Sequence, residues 1–281
     1  MKKTEIPEIK LKPSECYLGN PLLKKEGVDI PFTPEMQLEY ARCLEDKIYF
    51  IRNYCQIVTL DHGLQPFEMW DFQEEMIREF SHNRFVICKM PRQVGKTTTV
   101  AAFLLWEIIF NDSYNIAILA NKAGGARDVL GRLQTMYMYL PVWLQMGVKE
   151  WNKGSLVLDN DSKIRADSTS SSAIRGGSYN MIYLDEFAFV PNNIQVEFMT
   201  SVYPTITSGS DTKILITSTP NGMNLFYKIW TDSEEGNNEY KRVSVHWSHI
   251  PGRDEAWKKQ TIANTSEEQF RQEYEIGRAH V

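Results

Sequence analysis

Arg84 to Thr98, RFVICKMPRQVGKTT, is the stretch that most limits what this chain can become. Phe85, Val86, Ile87 and Cys88 form a short apolar run that stops at Met90-Pro91. Gly95-Lys96-Thr97-Thr98 follows, and then a long apolar segment from Val100 to Phe110. That order predicts a buried strand, a tight loop and a helix beginning at the lysine. A helix start offers unpaired backbone N–H groups and a partial positive charge, an environment suited to phosphate. Lys96 adds a full charge toward the β- and γ-phosphates of a nucleotide, and the Thr97 hydroxyl is placed to ligate Mg²⁺. The usual spacing of such a loop would put a first glycine where this chain has Met90, so the phosphate loop is an altered one. The alternative is an ordinary strand-to-helix turn with an exposed lysine, and only a partner motif elsewhere displaces it.

Size and charge set the frame for that search. At 281 residues and 42% hydrophobic content the chain suffices for one large domain, or a domain with a satellite. No apolar run approaches the roughly 20 residues of a membrane helix, and MKKTEIPEIK at the start has no hydrophobic stretch behind its lysines, so neither a membrane span nor a signal peptide is expected. Cys16, Cys43, Cys55 and Cys88 share no metal-type spacing and read as reduced thiols. With 31 basic against 36 acidic residues the net charge is −5, which argues against a nucleic-acid coat protein while leaving room for a local basic patch.

The partner motif lies downstream. Met181-Ile182-Tyr183-Leu184 is a four-residue apolar run followed at once by Asp185-Glu186. An aspartate at the carboxyl end of a buried strand is aimed at a Mg²⁺ shell, and a glutamate beside it can orient and deprotonate an attacking water. Alone, two acids closing a strand are usually solvated; after a phosphate loop they read as a pair. Upstream, Gln73 sits near the head of an amphipathic helix carrying Phe72, Met76, Ile77 and Phe80, and a glutamine amide there can read an adenine edge. Lys213 to Ser218 is another buried strand, and the Thr217, Ser218 and Thr219 hydroxyls at its end either sense a γ-phosphate or cap the Pro220-Asn221-Gly222 turn. Between these lie a strand at 115–120, a helix from about Gly125 to Leu140, a hairpin around Asn160-Asp161-Ser162 and a serine-rich loop holding Arg175. A helix is predicted from Thr33-Pro34-Glu35, while Phe50 to Leu60 fits helix and strand alike. The end of the chain predicts a strand over Tyr240–Trp247 and one charged helix from Asp254 to Glu273. Strand and helix alternate as in a parallel, doubly wound sheet.

Taken in order, DFQEEM (71–76), PRQVGKTT (91–98), EWNKGS (150–155), AIRGGS (173–178), MIYLDEFAFVPN (181–192) and STPNG (218–222) resemble the large terminase subunit of tailed bacteriophages, in the branch found in contractile-tailed phages. The resemblance implies an α/β fold: a P-loop NTPase with a mainly parallel central sheet flanked by helices, plus a small accessory subdomain built from the N-terminal and C-terminal segments. It implies an ATPase that uses ATP and Mg²⁺ to drive DNA into preformed capsids. Gln73 would contact adenine; Arg92, Gln93, Gly95, Lys96, Thr97 and Thr98 would bind nucleotide; Thr97 and Asp185 would hold the metal. Glu186 would activate water with Arg92 and Lys96 as its catalytic companions, and Thr217, Ser218 and Thr219 would couple hydrolysis to movement. Arg175 would act on nucleotide or DNA. The implied partners are double-stranded viral DNA, the portal protein of the procapsid, the small terminase subunit and further copies in a ring, a pentamer on the portal. They would meet in the host cytoplasm during assembly, with no membrane involved and no place for the chain in the mature virion. Pro91 departs from relatives that carry a small residue such as serine, and it removes one loop donor.

These readings divide the chain into an N-terminal accessory segment (1–62), a P-loop core (63–234) and a C-terminal accessory segment (235–281). The nuclease domain of full-length relatives, and its activity, are expected to be missing. The last seven residues, EIGRAHV (275–281), match a translated sequencing-adapter read, which predicts that they are non-native and that the natural chain continues past about Tyr274. Two rivals remain on residues alone. A helicase-like or remodelling ATPase would need helicase motifs after residue 230, and a non-catalytic capsid or replication module would have no need of both Asp185 and Glu186.

Overall fold

The computed structural model describes residues 6–170, 177–207 (backbone alone over 202–207) and 211–275. Two short paired strands, β1 (Cys16–Tyr17) and β2 (Asn20–Lys24), precede two helices, α1 (Pro34–Glu45) and α2 (Lys47–Tyr54). Helix α1 begins where Thr33-Pro34-Glu35 predicts. Thr33 Oγ1 accepts the Met36 N–H at 3.3 Å, and Pro34 fills a position whose N–H would lack a helical partner. Asp46 closes α1 and caps α2 by accepting the Tyr49 N–H at 3.0 Å. The ambiguous stretch from Phe50 divides there: α2 runs to Tyr54, and β3 (Gln56–Thr59) pairs antiparallel with β4 (Gly63–Pro66). Next come α3 (Asp71–His82), β5 (Phe85–Lys89), α4 (Lys96–Phe110), β6 (Asn115–Ala120) and α5 (Ala123–Met138). They are followed by β7 (Val148–Trp151), β8 (Ser155–Leu158), β9 (Lys163–Ser168), β10 (Met181–Asp185) and α6 (Asn192–Thr207). The last elements are β11 (Lys213–Ser218), α7 (Leu225–Glu234), β12 (Lys241–Ser244), α8 (Glu255–Asn264) and α9 (Glu267–Glu273).

Among the described residues eight strands form one sheet, in the order β12-β5-β11-β10-β6-β9-β8-β7. Its β12-β5-β11-β10 run is parallel, and its β9-β8-β7 run is antiparallel. The expected α/β architecture, a mostly parallel sheet flanked by helices, is the one that forms. Among the described residues, no helix is long and apolar enough to cross a membrane.

Two compact units make up the chain. The first comprises Met1–Trp70, Thr97–Ile116 and Arg127–Ala166. From Val100 through Leu105 its α4 is apolar on every side and fully buried, as a stretch of helix without a polar face must be. Edge-on aromatic contacts, Phe50–Phe110 at 5.4 Å and Tyr54–Trp143 at 5.7 Å, fill its core. Buried Glu39 accepts hydrogen bonds from the Tyr49 and Tyr54 hydroxyls at 2.6 and 2.8 Å and pairs with Arg42, so its charge is compensated. The predicted hairpin is β8–β9, its tight turn carried by Asp161 at φ +63°.

The second unit comprises Asp71–Lys96, Ala117–Ala126 and Asp167–Val281. Register fixes what matters for function: Asp185 lies beside Thr217, and Ser218 beside Lys89. The loops after β5, β10 and β11 therefore leave the sheet at one carboxyl edge, where open α/β sheets bind ligands. Ile87, Ile182, Leu184, Ile216, Phe198 and Phe226 pack the core beneath that edge. Lys213 Nζ donates to the carbonyls of Phe80, Ser81 and Asn83 at 2.7 to 3.2 Å, a cation closing the carboxyl end of α3.

The charged segment after Asp254 differs from the single predicted helix. It breaks at Thr265-Ser266, where Ser266 caps α9 by accepting the Gln269 N–H at 3.0 Å. The break folds α9 back so that Phe270 and Tyr274 reach Trp257, at ring separations of 5.8 and 5.2 Å. Aromatic burial wins over the unbroken helix that charge pattern alone suggests.

Candidate active site

The phosphate loop grows directly out of β5. The Met90 N–H donates to the Ser218 carbonyl at 3.0 Å and the Met90 side chain is fully buried, so this position extends the sheet instead of turning. That explains how the loop dispenses with a first glycine. Gln93 and Gly95 then take left-handed backbone conformations, φ +58° and +72°. Alternation between the two hands curves successive N–H groups onto one side, forming an anion-binding nest. Gly95 has a second reason to be glycine: a Cβ there would lie 2.5 Å from Gln73 Nε2. Gly95→Ala is therefore expected to cost about 1–3 kcal/mol, read as a lowered thermal unfolding midpoint, with weaker nucleotide binding alongside.

Gln73 lies on α3, 3% exposed, with its Nε2 3.4 Å from the Val94 carbonyl, so its side chain backs the loop. Lys96, also buried, begins α4 and forms an ion pair with Glu186. Thr97 and Thr98 complete the first helical turn, and Thr98 Oγ1 accepts from Arg132 at 3.3 Å.

Across the edge, buried Asp185 ends β10. Tyr183, two residues earlier and so on the same face, places its hydroxyl 2.8 Å from Asp185 Oδ1 and 2.8 Å from Thr217 Oγ1, which itself lies 3.1 Å from the same carboxylate oxygen. Burial pushes the Asp185 carboxyl above the usual carboxylate range, opposed by the charge of Lys96. The Tyr183 phenol is raised well above its ordinary value by burial and by Asp185, so it stays a hydrogen-bond donor.

Glu186 follows in a left-handed conformation, φ +49°, uncommon for a residue with a side chain. Besides Lys96 it meets the Thr219 N–H, 3.3 Å from Oε2, and the Ser218 hydroxyl at 3.4 Å. That hydroxyl has one hydrogen and lies nearer the Thr219 carbonyl, at 2.8 Å. The Thr219 hydroxyl is buried and has no hydrogen-bond partner among the described residues.

Arg92 is held elsewhere. Its Nε is 2.5 Å from Glu273 Oε2, and its backbone N–H donates to the Glu273 carbonyl at 3.1 Å. Arg175 lies outside the described residues. The sequence contained no sign of Tyr183, Glu273 or Arg253 as neighbours of the site. Tyr183 hides in an apolar run, and the two others sit in a charged stretch that reads as solvated.

Among the described residues no group of three or more His, Cys, Asp or Glu side chains could hold a metal ion. A single buried carboxylate, disfavoured as an anion until a cation joins it, together with a helix-start hydroxyl, nevertheless fits Mg²⁺. That ion is commonly bound by one or two protein oxygens plus substrate phosphates.

A nested loop ending in a lysine, with an Asp-Glu pair closing a second parallel strand one place removed in the same sheet, defines the P-loop nucleotide hydrolases. The chain belongs, more narrowly, to the family described as terminase large subunit, T4-like-virus type, N-terminal, which it matches over residues 87–276. Solved structures with the same fold include the Thermus phage P74-26 large terminase ATPase domain. The two are 21% identical with a TM-score of 0.61, over 75% of this chain and 94% of that one. The HK97 bacteriophage large terminase is 19% identical, with a TM-score of 0.68, over 84% of this chain and 55% of that one. The large terminase of a thermophilic bacteriophage, solved with ATP-γ-S, is 13% identical with a TM-score of 0.54, over 69% of this chain and 49% of that one. The chain thus spans about half the length of these last two proteins. Family membership sets the helicase-like alternative aside.

Proposed function

We propose that the chain hydrolyses ATP by in-line attack of water on the γ-phosphate, and that this reaction drives double-stranded viral DNA into a procapsid. The observation that supports it most is the meeting of Lys96 with Glu186, next to Asp185: a phosphate-loop lysine and a strand-end acid pair, far apart in sequence, share one corner of the sheet. With nucleotide bound, the N–H groups of the loop from Gln93 through Thr98 hold phosphate oxygens. Lys96 exchanges the Glu186 carboxylate for the β- and γ-phosphates, which frees Glu186 Oε1 to take a proton from the attacking water. Thr219, whose N–H steadies Glu186, keeps its buried hydroxyl for that water or the γ-phosphate, while Thr217 is committed to Asp185 and Ser218 to the turn. Gln73 holds the loop from behind as well as serving the adenine. Thr97 and Asp185 would hold Mg²⁺, which when bound neutralises charge on the phosphate oxygens. Portal protein, small terminase subunit and further copies of the chain in a ring are its partners, in the host cytoplasm during assembly.

Lys96→Ala tests this reading. It should weaken ATP binding by about 10- to 100-fold, the scale of lost charge-assisted hydrogen bonds, in a titration with a fluorescent ATP analogue. Glu186 is part-exposed, so water can solvate it when its partner is gone and the fold should survive. Unchanged affinity would remove Lys96 from the phosphate site.

A further inference from the structure

One residue outside the sequence motifs is attached to the phosphate loop more directly than most of the motif residues. Arg253 precedes Asp254, the N-cap of α8, and its guanidinium forks over two successive loop carbonyls. Nη1 donates to the Arg92 carbonyl at 3.2 Å and Nη2 to the Gln93 carbonyl at 3.0 Å. The guanidinium is itself held in place, 4.8 Å from the Trp257 ring centre and 5.4 Å from that of Tyr274.

The peptide geometry gives this contact a consequence. In a trans peptide the C=O and the following N–H point in opposite directions within one plane. Fixing the Arg92 carbonyl therefore fixes the Gln93 N–H, and fixing the Gln93 carbonyl fixes the Val94 N–H. Both N–H groups are turned away from the guanidinium. They belong to the part of the loop where Gln93 adopts φ +58°, a conformation a non-glycine residue holds only when its surroundings impose it. Pro91 contributes no N–H, so the lead-in has one donor fewer and each remaining one carries more of the phosphate. A planar fork bridges two carbonyls in a fixed relation; a lysine ammonium is a point charge and cannot.

We propose that Arg253 is a positioning residue for the nucleotide, orienting the Gln93 and Val94 N–H groups toward the phosphates by holding the carbonyls behind them. The proposal rests on the ATPase reading above and assigns the C-terminal segment a part in the affinity of that same site. It also ties the aromatic rings of the C-terminal segment to the shape of the loop, because Arg253 touches both.

The test compares Arg253→Ala, Arg253→Gln and Arg253→Lys in the full chain, with Arg271→Ala on α9, whose ion pair is to Glu267, as the control for disturbing the C-terminal helices. ATP affinity, KM, kcat and the thermal midpoint are measured for each. Arg253→Ala and Arg253→Gln should raise the dissociation constant and KM about tenfold, with kcat changed less than KM. Arg253→Lys should not restore affinity, and Arg271→Ala should match the unmodified chain. Should Arg253→Ala fail to fold, Arg253→Gln, which keeps most of the aliphatic stem and one amide donor, carries the comparison. Unchanged affinity and KM, or a lowered thermal midpoint with unchanged KM, would overturn the proposal by reducing Arg253 to a packing residue. Full rescue by lysine would overturn the two-carbonyl geometry. An unmodified chain that binds no ATP would instead count against the ATPase reading itself.

Discussion

Arg92→Ala should lower the rate of ATP hydrolysis by about 10³- to 10⁵-fold, the range for an arginine that neutralises the transferring phosphoryl group. The geometry makes this a demanding expectation, because Arg92 is paired with Glu273. Its side chain is 53% exposed in that pair, and exposed ion pairs contribute at most about 1 kcal/mol. A nucleotide bearing several negative charges can outcompete such a partner. Glu273→Gln should therefore leave turnover intact or raise it, since it releases Arg92 without altering the loop. Arg92→Lys should not rescue the alanine variant, because one ammonium cannot reproduce the fork. Phosphate release at saturating ATP is the readout. A tenfold loss or less in Arg92→Ala would move the transition-state arginine to another position or another subunit.

Glu186→Gln should reduce turnover by about 10²- to 10⁴-fold, the usual contribution of a positioned base, while ATP binding is kept or strengthened. The strengthening follows from the ion pair. Lys96 is tied to Glu186, and a neutral amide competes less well with phosphate for that ammonium. Binding and catalysis thus move in opposite directions in one variant, which separates loss of the base from general damage. Isothermal titration with ATP beside a steady-state assay measures both. Hydrolysis at the unmodified rate would show that Glu186 is not the base.

Much of this site was legible in the residues alone. FVIC, NIAILA, MIYL and KILIT are uninterrupted apolar runs, and such runs fold as strands buried on both faces of a parallel sheet. Chemistry-bearing residues at their carboxyl ends, Lys96 after one and Asp185-Glu186 after another, had to emerge on the same side once the strands were parallel. The order β12-β5-β11-β10 was not legible, because two of its three pairings, β12 with β5 and β5 with β11, join segments more than 90 residues apart, as Phe85 and Ile214 are. Without that order nothing places Thr217 beside Asp185, and the Tyr183 hydroxyl has no visible partner. The sequence position of Gln73 before the strand suggested a nucleotide contact; that its amide backs Val94 depends on how α3 rolls against the loop. The C-terminal stretch misled for a physical reason. Its charges mark a solvated face, yet Trp257, Phe270 and Tyr274 outweigh them by breaking the helix at Ser266, and this break carries Glu273 to Arg92. Alternation and charge describe single elements, whereas Arg253 and Glu273 matter through what lies across from them.

A crystal structure of the chain with Mg²⁺ and ATP-γ-S would show whether this loop holds the nucleotide. In it Lys96 Nζ should leave Glu186 for the β- and γ-phosphates, with the loop N–H groups of Gln93 to Thr98 around them and Asp185 in the Mg²⁺ shell. Nucleotide bound away from this loop, with the Lys96–Glu186 pair intact, would contradict the ATPase reading of the site.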